Sequence, residues 1–449
     1  RLSLLSPERP ELHAGRAANG YREYDEPTAI RAANIRDLLD NGLTVLIKEN
    51  HNNPIVSVES FTLGGARLDP PDGSGLANFT ASMMPRGTKK RSGTDISETF
   101  DSMGAAYGCA ANHTRIQSQL TLLSEDLEDG LEVFADVLMN PRFDEDEMEK
   151  QRELIQAGLR SRSDDWYTDA FDRVLAAAFT EHPYGRCTAG TEETVAGFTR
   201  DDLIEHHDTY VTPDNTVLTV FGDVDTDDAL EMVEDVFEDW ERGGDVAPTQ
   251  ITEPARTEPE TITSYHSRAQ TVIYRAYEGM PYSSEDRYAM DVLDGIVSGI
   301  GYPGGWLHTD LRGNSLVYVV HGINFTWYDV GWFGIYAATY DEALDQALGI
   351  IDNHMERIAS EFVTDEELEH AKQLCVIMNE TQKQTNAAQA TDAGIPELYG
   401  LGYDFNDDYS EKIMQVTKED VRNVARKYLK NPVTILRRPQ PEEQLSDAD

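Results

Sequence analysis

Side chains whose types and spacing could do chemistry are few in this chain. Its 3 cysteines, Cys109, Cys187 and Cys375, are widely spaced and odd in number, which gives neither a metal pattern nor a disulfide framework. They are read as buried, inert thiols. His206 and His207 stand side by side near the end of a predicted helix, where adjacent side chains point in different directions and cannot grip one ion. His182, before Pro183, falls in a loop. All three are assigned packing or surface roles. A glycine-rich run, Ser298-Gly299-Ile300-Gly301-Tyr302-Pro303-Gly304-Gly305, leads into Trp306-Leu307-His308. No Gly-Lys-Ser/Thr follows, so it is not a phosphate loop. On the residues alone it reads as an ordinary flexible loop with His308 just beyond it. Next come Arg312 and Tyr318, a permanently charged fork donor and a phenolic donor. On the residues alone, Arg312 reads as a surface ion pair and Tyr318 as a half-buried strand aromatic.

The elements that must position these groups repeat once. The run Phe143-Asp-Glu-Asp-Glu-Met-Glu-Lys-Gln-Arg-Glu-Leu154 matches Val363-Thr-Asp-Glu-Glu-Leu-Glu-His-Ala-Lys-Gln-Leu374. Each follows another amphipathic helix, at 127–139 and 343–358, and each has a cap-like polar group before apolar residues at helical spacing. A second match, Phe198-Thr-Arg-Asp-Asp-Leu203 with Val416-Thr-Lys-Glu-Asp-Val421, stands at nearly the same offset and is followed by paired Tyr210 and Tyr428 and by apolar strands at 216–221 and 432–436. Two matches at one offset predict an α+β chain of two homologous domains from an internal duplication, each a mainly antiparallel sheet packed with helices. The expected domains are 34–242 and 262–438. A Pro- and Glu-rich boundary at 243–261 separates them. Residues 1–33 fit neither repeat and read as an N-terminal extension or linker, and 439–449 as an acidic, disordered tail. The aromatics Phe325, Trp327, Tyr328, Trp332, Phe333, Tyr336 and Tyr340 are expected mostly to fill a sheet core.

Charge sets the background. The 449 residues hold 82 acidic against 38 basic side chains, a formal net charge of −44. A nucleic-acid partner needs a basic footprint and is not expected. Carboxylates at this density suit a salt-adapted surface, where screening removes their self-repulsion. Attraction of cationic peptides or partners is the other reading, and the two are compatible. With 39% hydrophobic residues the chain has enough apolar material for real cores. No apolar run approaches membrane-spanning length, so no membrane span is expected. Arg1 in the place of Met leaves a removed leader or upstream segment open, and with it the compartment: cytoplasmic, periplasmic or secreted.

Domain one carries an ordered set of features: a hairpin-like pair at 43–48 and 56–63, the turn Gly64-Gly65-Ala66-Arg67, Gly75-Leu76-Ala77 opening a helix, and Met83-Met84-Pro-Arg-Gly87-Thr88. With the duplicated plan, this set resembles the pitrilysin or insulinase family of zinc peptidases, to which mitochondrial processing peptidase is related. The resemblance covers about 34–438. In active members the helix after Gly-Leu-Ala carries an inverted H-x-x-E-H motif. Its two His, one turn apart, grip zinc, its Glu is general base toward zinc-bound water, and a later helix gives a third, Glu ligand. Here the two His positions hold Asn78 and Ser82, the base position holds Ala81, and the third-ligand helix places Gly158 where Glu belongs. Neutral amide and hydroxyl groups are poor zinc ligands, and Ala and Gly are none. The edge strand that lines substrate in the family has Gly108-Cys109 in place of its Asn-Ala pair.

The resemblance also implies what is retained. The family sets an Arg and, about two helical turns later, a Tyr near its cleft, holding substrate backbone and helping to stabilise the oxyanion. Arg312 and Tyr318 match, with a gap one residue shorter that calls for a different turn. Both suit a peptide carbonyl gaining negative charge. Family members work as two halves around a peptide, and in some the zinc motif and the Arg/Tyr pair lie on different subunits. The expectation is therefore a non-catalytic subunit or half of a zinc metallopeptidase. It would bind peptide substrate, hold no metal itself, and form a homo- or heterodimer with a catalytic subunit or fused half that carries the zinc. The rival readings are a structural or interaction protein with no part in proteolysis, and an active zinc peptidase with atypical ligands.

Overall fold

The computed structural model describes residues 35–162, 164–244, 246 and 250–441, together with the backbone of two short strands, β1 (Gly15–Arg16) and β2 (Arg22–Glu23), which pair antiparallel. The rest of 1–33 and the tail beyond 441 lie outside the described residues, as does part of the predicted boundary. The first sheet has six strands in the order β3 (Ile35–Leu38), β4 (Thr44–Glu49), β8 (Thr216–Gly222), β5 (Ile55–Leu63), β7 (Arg115–Leu123) and β6 (Ala106–Ala111). The second has five, in the order β11 (Val317–Thr326), β12 (Gly331–Tyr340), β10 (Gln270–Glu278), β13 (Val433–Pro439) and β9 (Glu260–His266). Set β3 aside and the two orders coincide. Each sheet has one parallel pair, at the same place, β4 with β8 and β9 with β13; every other pair is antiparallel. This is the duplicated α+β plan.

The helices repeat as well. The first series is α1 (Leu76–Met83), α2 (Gly93–Ser102), α3 (Leu127–Met139), α4 (Glu145–Arg162), α5 (Trp166–Ala178), α6 (Glu192–Gly197), α7 (Arg200–Tyr210) and α8 (Thr226–Phe237). The second is α9 (Asp286–Val297), a single turn α10 (Gly305–Leu307), α11 (Leu344–Ser360), α12 (Asp365–Gln382), α13 (Asn386–Leu398), α14 (Tyr409–Gln415) and α15 (Lys418–Tyr428). Local chemistry explains the matched starts. Thr199 accepts from the Asp202 amide while Asp202 accepts back from the Thr199 amide at 2.7 Å, closing the first turn of α7. Thr417 and Asp420 do the same for α15. Each box satisfies two end-of-helix donors that would otherwise go unpaired.

The contact units cut across the sequence repeats. Described residues up to Gln156, from Thr188 to 246, and from Gln382 to Asp408 form one compact unit; those of Ala157–Cys187, from 250 to Thr381, and from Tyr409 on form the other. The contiguous division at 34–242 and 262–438 thus differs from the packing, because one helix of each repeat is exchanged. In the first unit α13 lies on β5 and β8. Its Gly394 sits against the Phe61 ring, and its Asn386 donates to the Ile55 carbonyl at 3.0 Å. In the second unit α5 lies on β10 and β13, with Phe171 against Trp332 at 5.7 Å and Asp169 paired to Arg437 at 2.6 Å. A helix that buries one apolar face must be covered by some sheet, and periodicity alone does not say which. At the far end, Pro439 belongs to β13 and the Gln440 amide donates to the His266 carbonyl, so the sheet takes in the first residue of the expected tail and holds the second by a hydrogen bond.

Candidate functional site

In the first unit the site elements begin at Gly75. Its φ of +96° suits glycine, and a Cβ there would come within 2.7 Å of Gly190 Cα, so this helix start tolerates little else. Both carboxylate oxygens of buried Asp69 are used at the start of α1, accepting from the Gly75 amide at 2.8 Å and the Ala77 amide at 2.9 Å. α1 buries Leu76, Ala77, Phe79, Thr80, Ala81 and Met83 and leaves Asn78 and Ser82 half-buried. The two are four residues apart on the more open side, as side chains at that spacing must be. Ser82 Oγ donates to the Phe79 carbonyl of its own helix at 2.8 Å. Ala81 is fully buried. Gly158, near the end of α4, falls in the second unit instead; it is exposed, and a Cβ at that position would meet nothing within 4 Å. Nothing steric therefore requires glycine there.

These residues do not fit a zinc ion. Besides one amide, α1 offers only hydroxyl donors, Ser82 and the buried Thr80, and among the described residues no group of three or more His, Cys, Asp or Glu could hold a metal. His206 and His207 both lie buried on α7. His207 is satisfied by the Leu138 carbonyl at 2.8 Å. His206 is not: neither ring nitrogen has a hydrogen-bond partner, and burial holds it neutral, pulling it down to about 3. His182 accepts from the Tyr184 amide at 3.1 Å as the cap of a short turn. Cys109 on β6 is pushed up to about 11 by burial, and Cys375 is raised by the same cause. The edge strand persists at Gly108-Cys109, pairing with β7 from Ala106 to Ala111.

The second unit is chemically richer. Past the glycine-rich turn, where Gly299, Gly301 and Gly305 all take positive φ, α10 runs into a π turn at His308–Arg312. Such widened turns recur at functional positions. Arg312 ends it, exposed, with no hydrogen bond or ion pair among the described residues. The connection then uses Ser315 at φ +59° and a β-bulge between Val317 and Val319, with Tyr318 as the extra residue. Tyr318 is 43% exposed on the edge strand β11. Its hydroxyl is hydrogen-bonded with that of Tyr340, which pushes it up to about 12, so it is a neutral donor at any ordinary pH. The irregular turn and bulge are what the shortened Arg–Tyr gap called for.

Behind this edge lies a buried carboxyl. Asp294, at the end of α9, accepts from Ser298 Oγ, and its backbone carbonyl accepts from the Ser298 and Gly299 amides at 2.7 and 3.1 Å. Gly322 of β11 packs on it; a Cβ at 322 would stand 2.6 Å from Asp294 Oδ1. Burial, with nearby Asp291, pushes Asp294 up to about 7. Asp294 thus ties the end of α9, the glycine-rich turn and the edge strand together.

Comparison with known proteins bears on the whole arrangement. Residues 44–192 match the family model described as insulinase (peptidase family M16), and residues 197–375 the one described as the peptidase M16 inactive domain. An uncharacterized zinc protease of Rickettsia bellii is 27% identical over 342 residues, covering 74% of this chain and 80% of the relative. A probable mitochondrial-processing peptidase subunit beta of Arabidopsis thaliana is 24% identical over 322 residues, covering 68% of this chain and 60% of the relative. Among solved structures, the peptidase M16 inactive domain from Pseudomonas fluorescens superposes with a TM-score of 0.83 at 22% identity, covering 90% of this chain and 98% of that one. A protease from Helicobacter pylori gives 0.84 at 20% identity, with coverage of 90% and 99%. No described helix is long and apolar enough to cross a membrane.

Proposed function

The chain belongs to the insulinase family of peptidases, M16, and from that premise we propose that it is a non-catalytic half of a zinc peptidase: it holds peptide with Arg312 and Tyr318 while a separate subunit or a fused half supplies the metal and the base. The observation that carries this reading is the contrast between two sets of side chains. α1 has a half-buried amide and hydroxyl and a buried methyl where metal chemistry needs imidazoles and a carboxylate. Beside the β11 edge stands an arginine with no partner among the described residues, in a chain rich in carboxylates.

In this reading the residues of this chain bind and orient. Arg312 offers several N–H donors in one plane to a peptide carbonyl, and its charge grows in value as that oxygen becomes negative. Tyr318, locked neutral by Tyr340, adds a donor without adding charge. No step of bond cleavage is assigned to this chain.

The test is reconstitution with a family subunit that carries an intact H-x-x-E-H. Adding this chain raises peptide hydrolysis, and Arg312→Ala lowers kcat by roughly 10²-fold, the usual effect of losing one oxyanion donor, while the complex still forms. Tyr318→Phe acts in the same direction. A partner equally active without this chain, or one indifferent to both substitutions, refutes the reading and favours a purely structural role.

A further inference from the structure

Resting on the peptide-binding reading, we propose that the edge of the second sheet beside Arg312 is a carboxylate subsite, in which His308 and His321 together with Arg312 receive an acidic side chain or the C-terminal carboxylate of the bound peptide. Three groups meet there, each with nitrogen donors or acceptors left unmatched among the described residues. His308 is 6% exposed, and its Nε2 meets no hydrogen-bond partner. His321 Nδ1, on β11, is likewise buried and unmatched. The two rings stand edge to face with centroids 5.0 Å apart. Arg312 has no ion pair among the described residues and acts on both imidazoles.

The protonation chemistry gives this cluster a direction. His308 uses its other nitrogen toward the Val320 carbonyl, so Nδ1 carries the proton and Nε2 of the neutral ring is a bare acceptor. Burial first, then His321 and Arg312, disfavour a second proton on His308; burial and Arg312 do the same for His321. The remaining groups around the pair do not relieve this. Asp310, on the same π turn, is engaged by His354 Nε2 at 2.9 Å, and Tyr336 of β12 meets His321 only through its ring at 5.5 Å. An arriving carboxylate reverses the balance: the ring takes up a proton from solvent at Nε2, becomes a donor, and shares the anion with the Arg312 fork. The five donors of Arg312 allow it to hold a backbone carbonyl at the same time.

Because the complex binds more protons than the free chain, affinity for an acidic peptide rises as pH falls toward 6, until the ligand carboxylate itself protonates near 4. The experiment is fluorescence anisotropy of the full chain with labelled peptides that differ only by Glu, Gln or Lys at one position, each with a free or an amidated C-terminus. It is run from about pH 8 to about pH 6, spanning the histidine range, in roughly 1 M salt so that screening over ~3 Å removes the background of the net charge. The expected result is about tenfold tighter binding of a carboxylate-bearing peptide near pH 6, a margin that shrinks toward pH 8. The Glu and free-terminus arms tell the two carboxylate sources apart. His308→Gln and, independently, His321→Gln bring the ratio to about 1. Equal binding of all peptides at every pH, a preference for Lys, or a carboxylate preference that survives both variants overturns the subsite while leaving the Arg312–Tyr318 reading standing. Failure to bind any peptide overturns both.

Discussion

The two sheets are near-copies, yet their working edges differ in kind. The order β4-β8-β5-β7-β6 repeats as β9-β13-β10-β12-β11, down to the placement of the single parallel pair. Beside the first copy, α1 carries Asn78, Ala81 and Ser82 on a regular helix. The second copy has a glycine-rich turn, a π turn, a bulge and a buried carboxyl, and it exposes Arg312 and Tyr318. The scaffold is common to both. The chemistry lies in a few side chains and in the backbone irregularities that aim them.

The comparison is sharpened most by one buried carboxyl taken from each unit. Glu59 lies under α13, accepts from Gln117 at 2.8 Å and Thr391 at 3.2 Å, and is pushed by burial up to about 7; Asp294 is raised to about 7 as well. In both cases the folded chain holds a proton over a pH range where the unfolded chain has released it. Each group therefore costs stability as pH rises from about 4 through 7, on the order of 3 kcal/mol apiece. Urea midpoints measured across that window should fall with rising pH. Glu59→Gln and Asp294→Asn should each flatten the slope in its own unit, and a slope unchanged in both variants would break the parallel.

Next in size is Gly322→Ala, expected to cost about 1–3 kcal/mol because the new methyl meets Asp294 Oδ1. Thr199→Ala and Thr417→Ala should each cost about 1 kcal/mol, and equally, since both remove the same capping box. The smallest effect carries the opposite sign. Gly158→Ala, exposed on α4 with open space around it, should stabilise by about 0.5–1 kcal/mol. Thermal melts of the four variants order these effects, and a destabilising Gly158→Ala would show that glycine there is a structural requirement.

Much of the fold was readable in advance because it rests on local rules. The 127–139 periodicity is α3 residue for residue, and 343–358 falls within two residues of α11. The matched segments used to infer duplication are the α4/α12 and α7/α15 starts, and the capping boxes of α7 and α15 are short-range chemistry. The exchange of α5 and α13 was not readable, since it depends on which sheet covers an apolar face and not on the face itself. In the aromatic run, adjacent Trp332 and Phe333 point to opposite faces of β12 and are both buried, in two different clusters, while Tyr340 is half exposed. At the candidate site, Arg312 and Tyr318 could be singled out through the family resemblance, but not the bulge and π turn that set their exposure. Nor could sequence foretell the orphaned ring of His206 or the meeting of His308 with His321, which lie 13 positions apart and come together only through the fold.

The account stands on the absence of a metal-holding group among the described residues and on the proposed clamp at Arg312 and Tyr318. Its most direct test is the metal content of the purified full chain, measured alongside its hydrolysis of unstructured peptides with and without a chelator. The expected result is no stoichiometric zinc and no chelator-sensitive cleavage. Stoichiometric zinc together with cleavage that the chelator abolishes would contradict it.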